Sequence, residues 1–211
     1  KGNVIVETGV TEQGQGAEAV IAQCAASALG VSMDKIKVIT GDTDVTPYGG
    51  GTWGSRAAGI GGEAAVQAGK ALRDNIVEVA SIMLQCEPST LNIKNNNIVD
   101  VSDGKERMPL SEIGRVCYFR PDTLPEDFQS ELVATRHYVP KKFPFAFTNG
   151  VQGCYLEVDI NTGFIKFKKY VVVEDCGTVI NPMLVDEQVR GGVVQGLGGA
   201  LYEECLYSPE G

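Results

Sequence analysis

The feature that most constrains the fold of this chain is the concentration of glycine in three separate segments. The first is Gly14-Gln15-Gly16, the second runs from Gly49 to Gly62, and the third lies at 191–199, where five of nine residues are glycine. Each glycine inside a helix costs about 1 kcal/mol relative to alanine. A folded chain keeps so many only where its backbone turns sharply or approaches another group closely. We therefore expect tight packing or a bound ligand at these segments.

Composition and charge limit the kind of ligand. The 211 residues suffice for one large or two small domains, and the apolar fraction of 43% is typical of globular proteins. No apolar run has membrane-spanning length. The formal net charge of -9 disfavours a general nucleic-acid or anionic-membrane surface. We expect a soluble protein without nucleic-acid or membrane partners, in which local donors hold any anionic ligand.

The cysteines predict buried, reduced thiols in a cytoplasmic protein. They are scattered without a CxxC pair, and most stand in apolar contexts, which favours neither a metal site nor a disulfide framework. The single histidine, His137, is expected to be structural or exposed rather than a metal ligand. The six cysteines are Cys24, Cys86, Cys117, Cys154, Cys176 and Cys205.

The first half of the chain alternates strand and helix patterns, which predicts an α+β fold of mixed α/β layers with helices covering a sheet. Gly30 follows the first helical pattern and is expected to end that helix. The predicted elements are a strand at 3–10, a helix at 17–29, a strand at 35–42 and a long helix at 63–84.

The second half is predicted from turn and cap signals. Asp175 and Asn181 are expected to be a turn residue and the cap of a helix that begins at Pro182. The other predicted elements are a hairpin at 91–106, a short helix capped by Ser111, an irregular connection at 120–150, and two antiparallel strands around Asn161-Thr162-Gly163.

The second glycine segment favours an anionic ligand. A glycine-rich turn before a helix gathers unpaired N–H donors, and Thr52, Ser55 and Arg56 add two hydroxyls and a guanidinium, a set that suits phosphate. The phosphate-loop motif GxxxxGK[ST] and a dinucleotide fingerprint are both absent from the sequence. Tight connection or close helix packing therefore remains an alternative explanation of these glycines.

Three motifs in order resemble a known family. TEQGQGAEAVIAQCAASALGV, GDTDVTPYGGGTWGSRA and EDCGTVINPMLVDEQVRGGVVQGLGGALYEE are similar to the molybdenum-cofactor-binding subunit of the xanthine dehydrogenase, aldehyde oxidase and carbon monoxide dehydrogenase family. The resemblance runs nearly end to end and is weakest at 87–150. GTWGSR resembles the bacterial multi-subunit members most. The chain is expected to be a fragment of such a subunit.

The resemblance implies a molybdopterin-binding domain of the xanthine dehydrogenase type. Residues 1–150 would form a first α/β cofactor-binding subdomain, irregular from about 120, and 151–211 would contribute a β-hairpin and a glycine-rich helix to a second. Molybdenum would be held by the pterin, which the resemblance suggests is the cytosine dinucleotide form, without a protein ligand. The implied cofactor-binding residues are Gly14, Gln15, Gly16, Thr52, Gly54, Ser55, Arg56 and Gln195.

The resemblance also implies a reaction and partners. The expected reaction is hydroxylation of an aldehyde or N-heterocycle with water as oxygen donor, and electrons would leave through iron-sulfur and FAD subunits. The family's general-base glutamate is expected beyond Gly211, so that this fragment alone is expected to be inactive. Two alternatives remain: a non-catalytic cofactor-binding or assembly module with the same fold, and a redox enzyme that uses a nucleotide at the glycine-rich loop.

Overall fold

The computed structural model describes residues 2–126, 128, 130–141 and 147–211. The chain divides into two compact units, Lys1–Phe145 and Ala146–Gly211. Both units combine helices with strands, so the predicted α+β class is confirmed. Part of the irregular connection predicted at 120–150 lies outside the described residues. Among those that are described, no helix is long and apolar enough to cross a membrane.

The first unit opens with a strand, a helix and a parallel strand. β1 (Val4–Thr8) pairs in parallel with β2 (Ile36–Thr40), and α1 (Ala17–Leu29) connects them. The limits of α1 agree with the prediction, and Gly30 ends it in a left-handed conformation. Because parallel strands joined by a helix end at the same edge, the loops that follow β1 and β2 start side by side, as at ligand sites of α/β proteins.

The long helix α2 (Gly62–Leu84) packs against α1 and matches the prediction to within one residue. A π-helical turn at Ala57–Gly61 leads into it, and such turns recur at functional sites. Gly69 allows the close approach of the two helices, since a Cβ there would lie 2.8 Å from the Cβ of Ala28. This contact fixes α2, and with it the end of the glycine-rich loop, against α1.

A three-stranded antiparallel sheet follows α2. The predicted hairpin is confirmed as β3 (Leu91–Lys94) and β4 (Asn97–Asp100), with Asn95 and Asn96 at φ +49° and +68° in the turn. β5 (Glu106–Pro109) was not predicted, because it is a short, charged edge strand that ends at proline.

The short helix α3 (Leu110–Phe119) forms where the sequence predicts a helix, but its cap differs. Ser111 was predicted as the cap, and this prediction is wrong. Pro109 precedes the helix in extended backbone and no side chain caps it, while Ser111 lies within the first turn. The helix is held instead by burial of an apolar face, which includes Ile113 and Val116.

Two apolar clusters hold the first unit. The larger joins α1, α2, α3 and the three-stranded sheet, and its largest fully buried side chains are Leu29, Val79, Ile98 and Ile113. The smaller lies where the loop after β1 meets α1 and the π-helical turn. It supports the predicted site and consists of Val10, Ala17, Ile21, Cys24, Ala57 and Ala65.

The second unit is a hairpin followed by a helix. β6 (Asn149–Val158) and β7 (Ile165–Asp175) are antiparallel around the predicted turn, and α4 (Pro182–Leu201) follows. Asn181 caps α4, because its Oδ1 accepts a hydrogen bond from Leu184 N at 3.2 Å. Asp175 is the predicted turn residue and accepts from Gly177 N at 3.0 Å.

The second unit exposes most of its apolar side chains. Val151, Tyr155 and Val173 are 72%, 70% and 65% exposed, and no residue of α4 is buried. Within this unit, no atom lies within 4 Å of a Cβ built at four of the α4 glycines, Gly191, Gly192, Gly196 and Gly199. The close packing predicted for these glycines is therefore not supplied by the unit itself and stays a prediction.

The prediction that the cysteines are buried is correct for two of them. Cys24 and Cys117 are buried, and burial raises the pKa of both thiols; the nearby Glu63 carboxylate adds to the effect at Cys24. The prediction is wrong for four, since three lie in the exposed second unit and one follows the end of α2. The exposed cysteines are Cys86, Cys154, Cys176 and Cys205, and all six are unpaired thiols in the described structure.

Asp100 should make the turn between β4 and β5 sensitive to acid. The Ser102 hydroxyl at 2.6 Å and then the Arg107 guanidinium at 2.8 Å hydrogen-bond its carboxylate and lower its pKa from 3.8 to about 2. A depressed pKa in the folded state stabilises the fold above the ordinary pKa. We expect this stabilisation to be complete above pH 3.8 and to be lost as the pH falls towards 2. An NMR titration of this carboxyl with a midpoint at or above 3.8 would contradict the expectation.

Candidate functional site

The loops that follow β1 and β2 meet at one edge of the first unit. Thr11 N donates to Thr52 Oγ1 at 3.0 Å, and Thr52 Oγ1 donates to Thr11 O at 2.7 Å. Gln13 Nε2 donates to Thr52 O at 3.0 Å. The structure thus joins the residues directly before the 14–16 turn to Thr52, at the start of the 52–56 segment, although about forty residues separate them. The Thr52 hydroxyl donates its proton to Thr11 O and thereby joins the two loops.

A close backbone contact underlies this junction. A Cβ on Gly9 would lie 2.4 Å from Gly49 Cα, and one on Gly49 would lie 2.5 Å from Gly9 Cα. Gly51 N donates to Gly9 O at 3.1 Å. Close packing therefore explains why position 49 is glycine. This is the alternative explanation, a tight connection, that the sequence left open for this loop. It does not explain the polar residues that come after it.

The end of the loop is held in an uncommon conformation. Gly54 and Ser55 both have positive φ, +58° and +56°. For serine this left-handed conformation is unfavourable, and residues held in such conformations cluster at binding and catalytic sites. Both residues are exposed. The Ser55 hydroxyl and the neighbouring backbone are therefore accessible to a ligand.

Arg56 is the cationic group of this loop. Its Nη2 donates to Gly49 O, and its guanidinium carbon lies 5.1 Å from the centre of the Trp53 ring. Its Nε is buried and has no hydrogen-bond partner among the described residues. A buried donor without a partner costs free energy until an acceptor reaches it. The loop therefore fits an anionic group such as a phosphate.

The turn at 14–16 is organised by Glu12, a residue that the sequence analysis missed. Glu12 Oε1 accepts hydrogen bonds from the backbone N–H groups of Gln13 at 3.1 Å, Gly14 at 2.8 Å and Gly16 at 3.0 Å. Its Oε2 accepts from Glu18 N at 2.9 Å. The N–H groups of Gly14 and Gly16, which are predicted to contact a cofactor, are thus already paired within the protein.

These hydrogen bonds also set the charge of Glu12. Partial burial by itself raises the pKa of the carboxyl, but the four backbone N–H donors outweigh burial and hold the pKa below its ordinary value. Glu12 is therefore a carboxylate at neutral pH. A sequence signal exists, since an acidic residue stands two positions before a Gly-x-Gly turn that enters a helix.

The two predicted glutamines lie in different units. Gln15 folds back on its own turn, with Oε1 accepting from Gln13 N at 2.7 Å and Nε2 donating to Thr11 O at 3.4 Å. Gln195 is an exposed residue of α4 in the second unit. His137 is exposed. In the described part of the chain, no group of three or more His, Cys, Asp or Glu side chains could hold a metal ion.

Comparison with known proteins identifies the family. The family model of the molybdopterin cofactor-binding domain matches residues 1–211. The large subunit of nicotine 6-hydroxylase from Paenarthrobacter nicotinovorans is 35% identical over all of this chain and 26% of its own length. The carbon monoxide dehydrogenase large chain from Hydrogenophaga pseudoflava is 30% identical over all of this chain and 26% of its own.

A solved structure agrees with this assignment. Quinoline 2-oxidoreductase from Pseudomonas putida 86 superposes with a TM-score of 0.87 at 33% identity, over 98% of this chain and 26% of that one. The chain belongs to the molybdopterin cofactor-binding domain family, which confirms the resemblance found in the motifs. It spans about a quarter of the length of these relatives.

Proposed function

We propose that this domain holds a molybdenum–molybdopterin cofactor within a molybdenum hydroxylase that oxidises an aldehyde or an N-heterocycle with water as oxygen donor. The family match supports the cofactor. The names of two relatives support the substrate class, since nicotine and quinoline are both N-heterocycles. When bound, the cofactor supplies the metal centre that accepts two electrons from the substrate.

The observation that carries the proposal is the unpaired, buried Nε of Arg56 in a loop fixed by the Gly9–Gly49 contact. Arg56 and Ser55 would hold a phosphate of the cofactor, with Gly54 leaving its backbone open to it. Gln15 and Gln195 would hydrogen-bond the pterin. Gly14 and Gly16 would shape the turn rather than donate to the cofactor, because Glu12 already accepts their N–H groups.

We further propose that the cofactor is the cytosine dinucleotide form. Its diphosphate would occupy the donors of the loop around Arg56, where an unpaired N–H and an exposed serine hydroxyl lie. Thr52 would contribute through its backbone and through its position between the two loops, since its hydroxyl is bonded to Thr11. The base would need a further surface for stacking.

The limits of the subdomains, the partner subunits and the position of the general base are also proposals. The first α/β subdomain would comprise residues 1–150, and 151–211 would begin a second that the remaining part of the molybdenum subunit completes. The exposed apolar side chains of β6 and β7 support such a covering partner. Iron-sulfur and FAD subunits would carry electrons away in the cytoplasm. We place the general-base glutamate outside residues 1–211, so that the isolated domain is inactive.

Replacing Arg56 tests the assignment. We expect Arg56→Ala to lower the molybdenum and pterin content of the purified full-length complex by roughly tenfold or more, because hydrogen bonds to a charged group contribute about 1.5–3 kcal/mol. Arg56→Lys keeps the charge but loses the planar fork and should be intermediate. Arg115→Ala is the matched control, since Arg115 pairs with Glu112 on the surface of α3. Equal cofactor content in Arg56→Ala and the control would contradict the proposal.

Gln195→Ala tests the second unit. We expect a smaller loss of pterin content, about fivefold, because one neutral hydrogen bond contributes about 1 kcal/mol. Gln188→Ala, an exposed glutamine on the same helix, is the control. Unchanged cofactor content in Gln195→Ala would show that Gln195 does not bind the cofactor. The proposed roles of the two loops in the first unit would stand.

A further inference from the structure

The carboxylate of Glu12 occupies the position at which an anion would bind the start of α1. The residue before α1, Gly16, has no side chain with which to cap the helix. Glu12 replaces such a cap from four residues earlier, because its Oε2 accepts from Glu18 N in the first helical turn at 2.9 Å. The positive end of the helix is therefore neutralised from within the chain.

The same carboxylate fixes the shape of the turn. Gly14 and Gly16 have φ of +94° and +85°, a conformation that lets successive N–H groups point to one side. Three of them converge on Glu12 Oε1 within 3.1 Å. The turn so formed carries Gln15, whose side chain hydrogen-bonds Gln13 N and Thr11 O. By holding this turn, Glu12 fixes the backbone position from which the Gln15 side chain extends.

We propose that Glu12 is a positioning residue with two effects. Its carboxylate holds the Gln13–Gly16 turn, and thereby Gln15, in place. It also closes the N-terminus of α1 to phosphate, since a second anion there would meet a like charge and would find Glu18 N already bonded to it. Phosphate binding is thereby assigned to the loop that contains Arg56. The second effect rests on the proposed function, whereas the first stands on the hydrogen bonds alone.

The experiment compares Glu12→Ala, Glu12→Gln and the control Glu18→Gln in the full-length complex, made with and without the cofactor machinery. Amide hydrogen exchange at Gln13, Gly14, Gly16 and Glu18 reports the turn, and molybdenum and pterin content reports binding. Glu12→Gln keeps an acceptor oxygen at Oε1, so it folds with little change of shape. The Glu18 side chain is exposed, and Glu18→Gln makes the same change of charge in the first turn of α1 without removing the backbone N–H that bonds to Glu12.

In Glu12→Ala we expect exchange at these amides to be roughly tenfold faster or more, and molybdenum content to fall by a similar factor. Loss of the helix cap should lower the melting temperature by only about a few degrees. Sodium formate should restore part of the protection, because a free carboxylate can fill the vacated position. Glu12→Gln should recover much of the molybdenum content, with fast exchange confined to Glu18. Glu18→Gln should behave like the unsubstituted protein.

Two results would overturn the inference. Unchanged exchange in Glu12→Ala would show that the carboxylate does not hold the turn. Faster exchange with unchanged cofactor content would show that the turn does not position Gln15 for binding. If the unsubstituted complex itself holds no molybdenum or pterin, the proposed function fails, and the exchange data from the cofactor-free protein still decide whether Glu12 holds the turn.

Discussion

Replacing Gly9 with alanine is expected to remove the cofactor from the complex while leaving the core folded. The new Cβ would lie 2.4 Å from both Gly49 Cα and Gly49 N, and 2.6 Å from Pro47 O. Carbon atoms in contact are about 3.5–4.0 Å apart, so the loop after β2 must move by roughly 1 Å or more. All three clashes are with backbone atoms, and no side-chain rotation relieves them.

This displacement acts on the cofactor through Arg56. The carbonyl of Gly49 accepts from Arg56 Nη2, so a shifted Gly49 also shifts the guanidinium. We expect molybdenum and pterin content to fall by about tenfold or more, since about 1.4 kcal/mol of lost binding is a factor of ten. Gly59→Ala is the matched control, because nothing lies within 4 Å of a Cβ at Gly59. Full cofactor content in Gly9→Ala would show that the contact does not position the loop.

Replacing Gly30 with alanine is expected to cause the largest loss of stability. Gly30 ends α1 at φ +82°, and a Cβ there would lie 2.2 Å from Ile93 O in β3. The left-handed conformation costs a residue with a side chain about 1–2 kcal/mol, and overpacking adds about 1–3 kcal/mol. We therefore expect the free energy of opening α1 and β3 to fall by roughly 2–5 kcal/mol, measured by amide hydrogen exchange.

Gly114→Ala in α3 is the control, and we expect it to change the stability in the opposite direction. No atom lies within 4 Å of a Cβ at Gly114, and alanine is favoured over glycine inside a helix by up to about 1 kcal/mol. This variant should be neutral or slightly more stable. Equal stability of Gly30→Ala and Gly114→Ala would contradict the tight contact between α1 and the three-stranded sheet.

Local patterns predicted the elements that have strong end signals. The helix at 17–29 was located to the residue because glycine bounds it on both sides. The hairpin of β3 and β4 followed from its asparagine turn, and α4 from Asn181 and Pro182. β5 was missed, because a short edge strand has no alternation of apolar residues to mark it.

The segments of the candidate site could be predicted from the sequence, but the contacts between them could not. The motifs indicated the turn at 14–16 and the loop at 52–56 because glycine and short polar residues are unusual in such numbers. The Gly9–Gly49 contact joins residues forty positions apart, and no local pattern encodes it. Glu12 was missed for a related reason: its four partners are backbone N–H groups, which every residue other than proline carries.

The most direct test of the account is a metal and pterin analysis of the natural full-length complex that contains this chain. Elemental mass spectrometry would measure molybdenum, and fluorescence of the oxidised pterin would measure the organic part of the cofactor. The account predicts both in equimolar amounts with the chain. A complex that lacks both, although made in cells with an active cofactor pathway, would contradict it and would favour a non-catalytic module that keeps the fold.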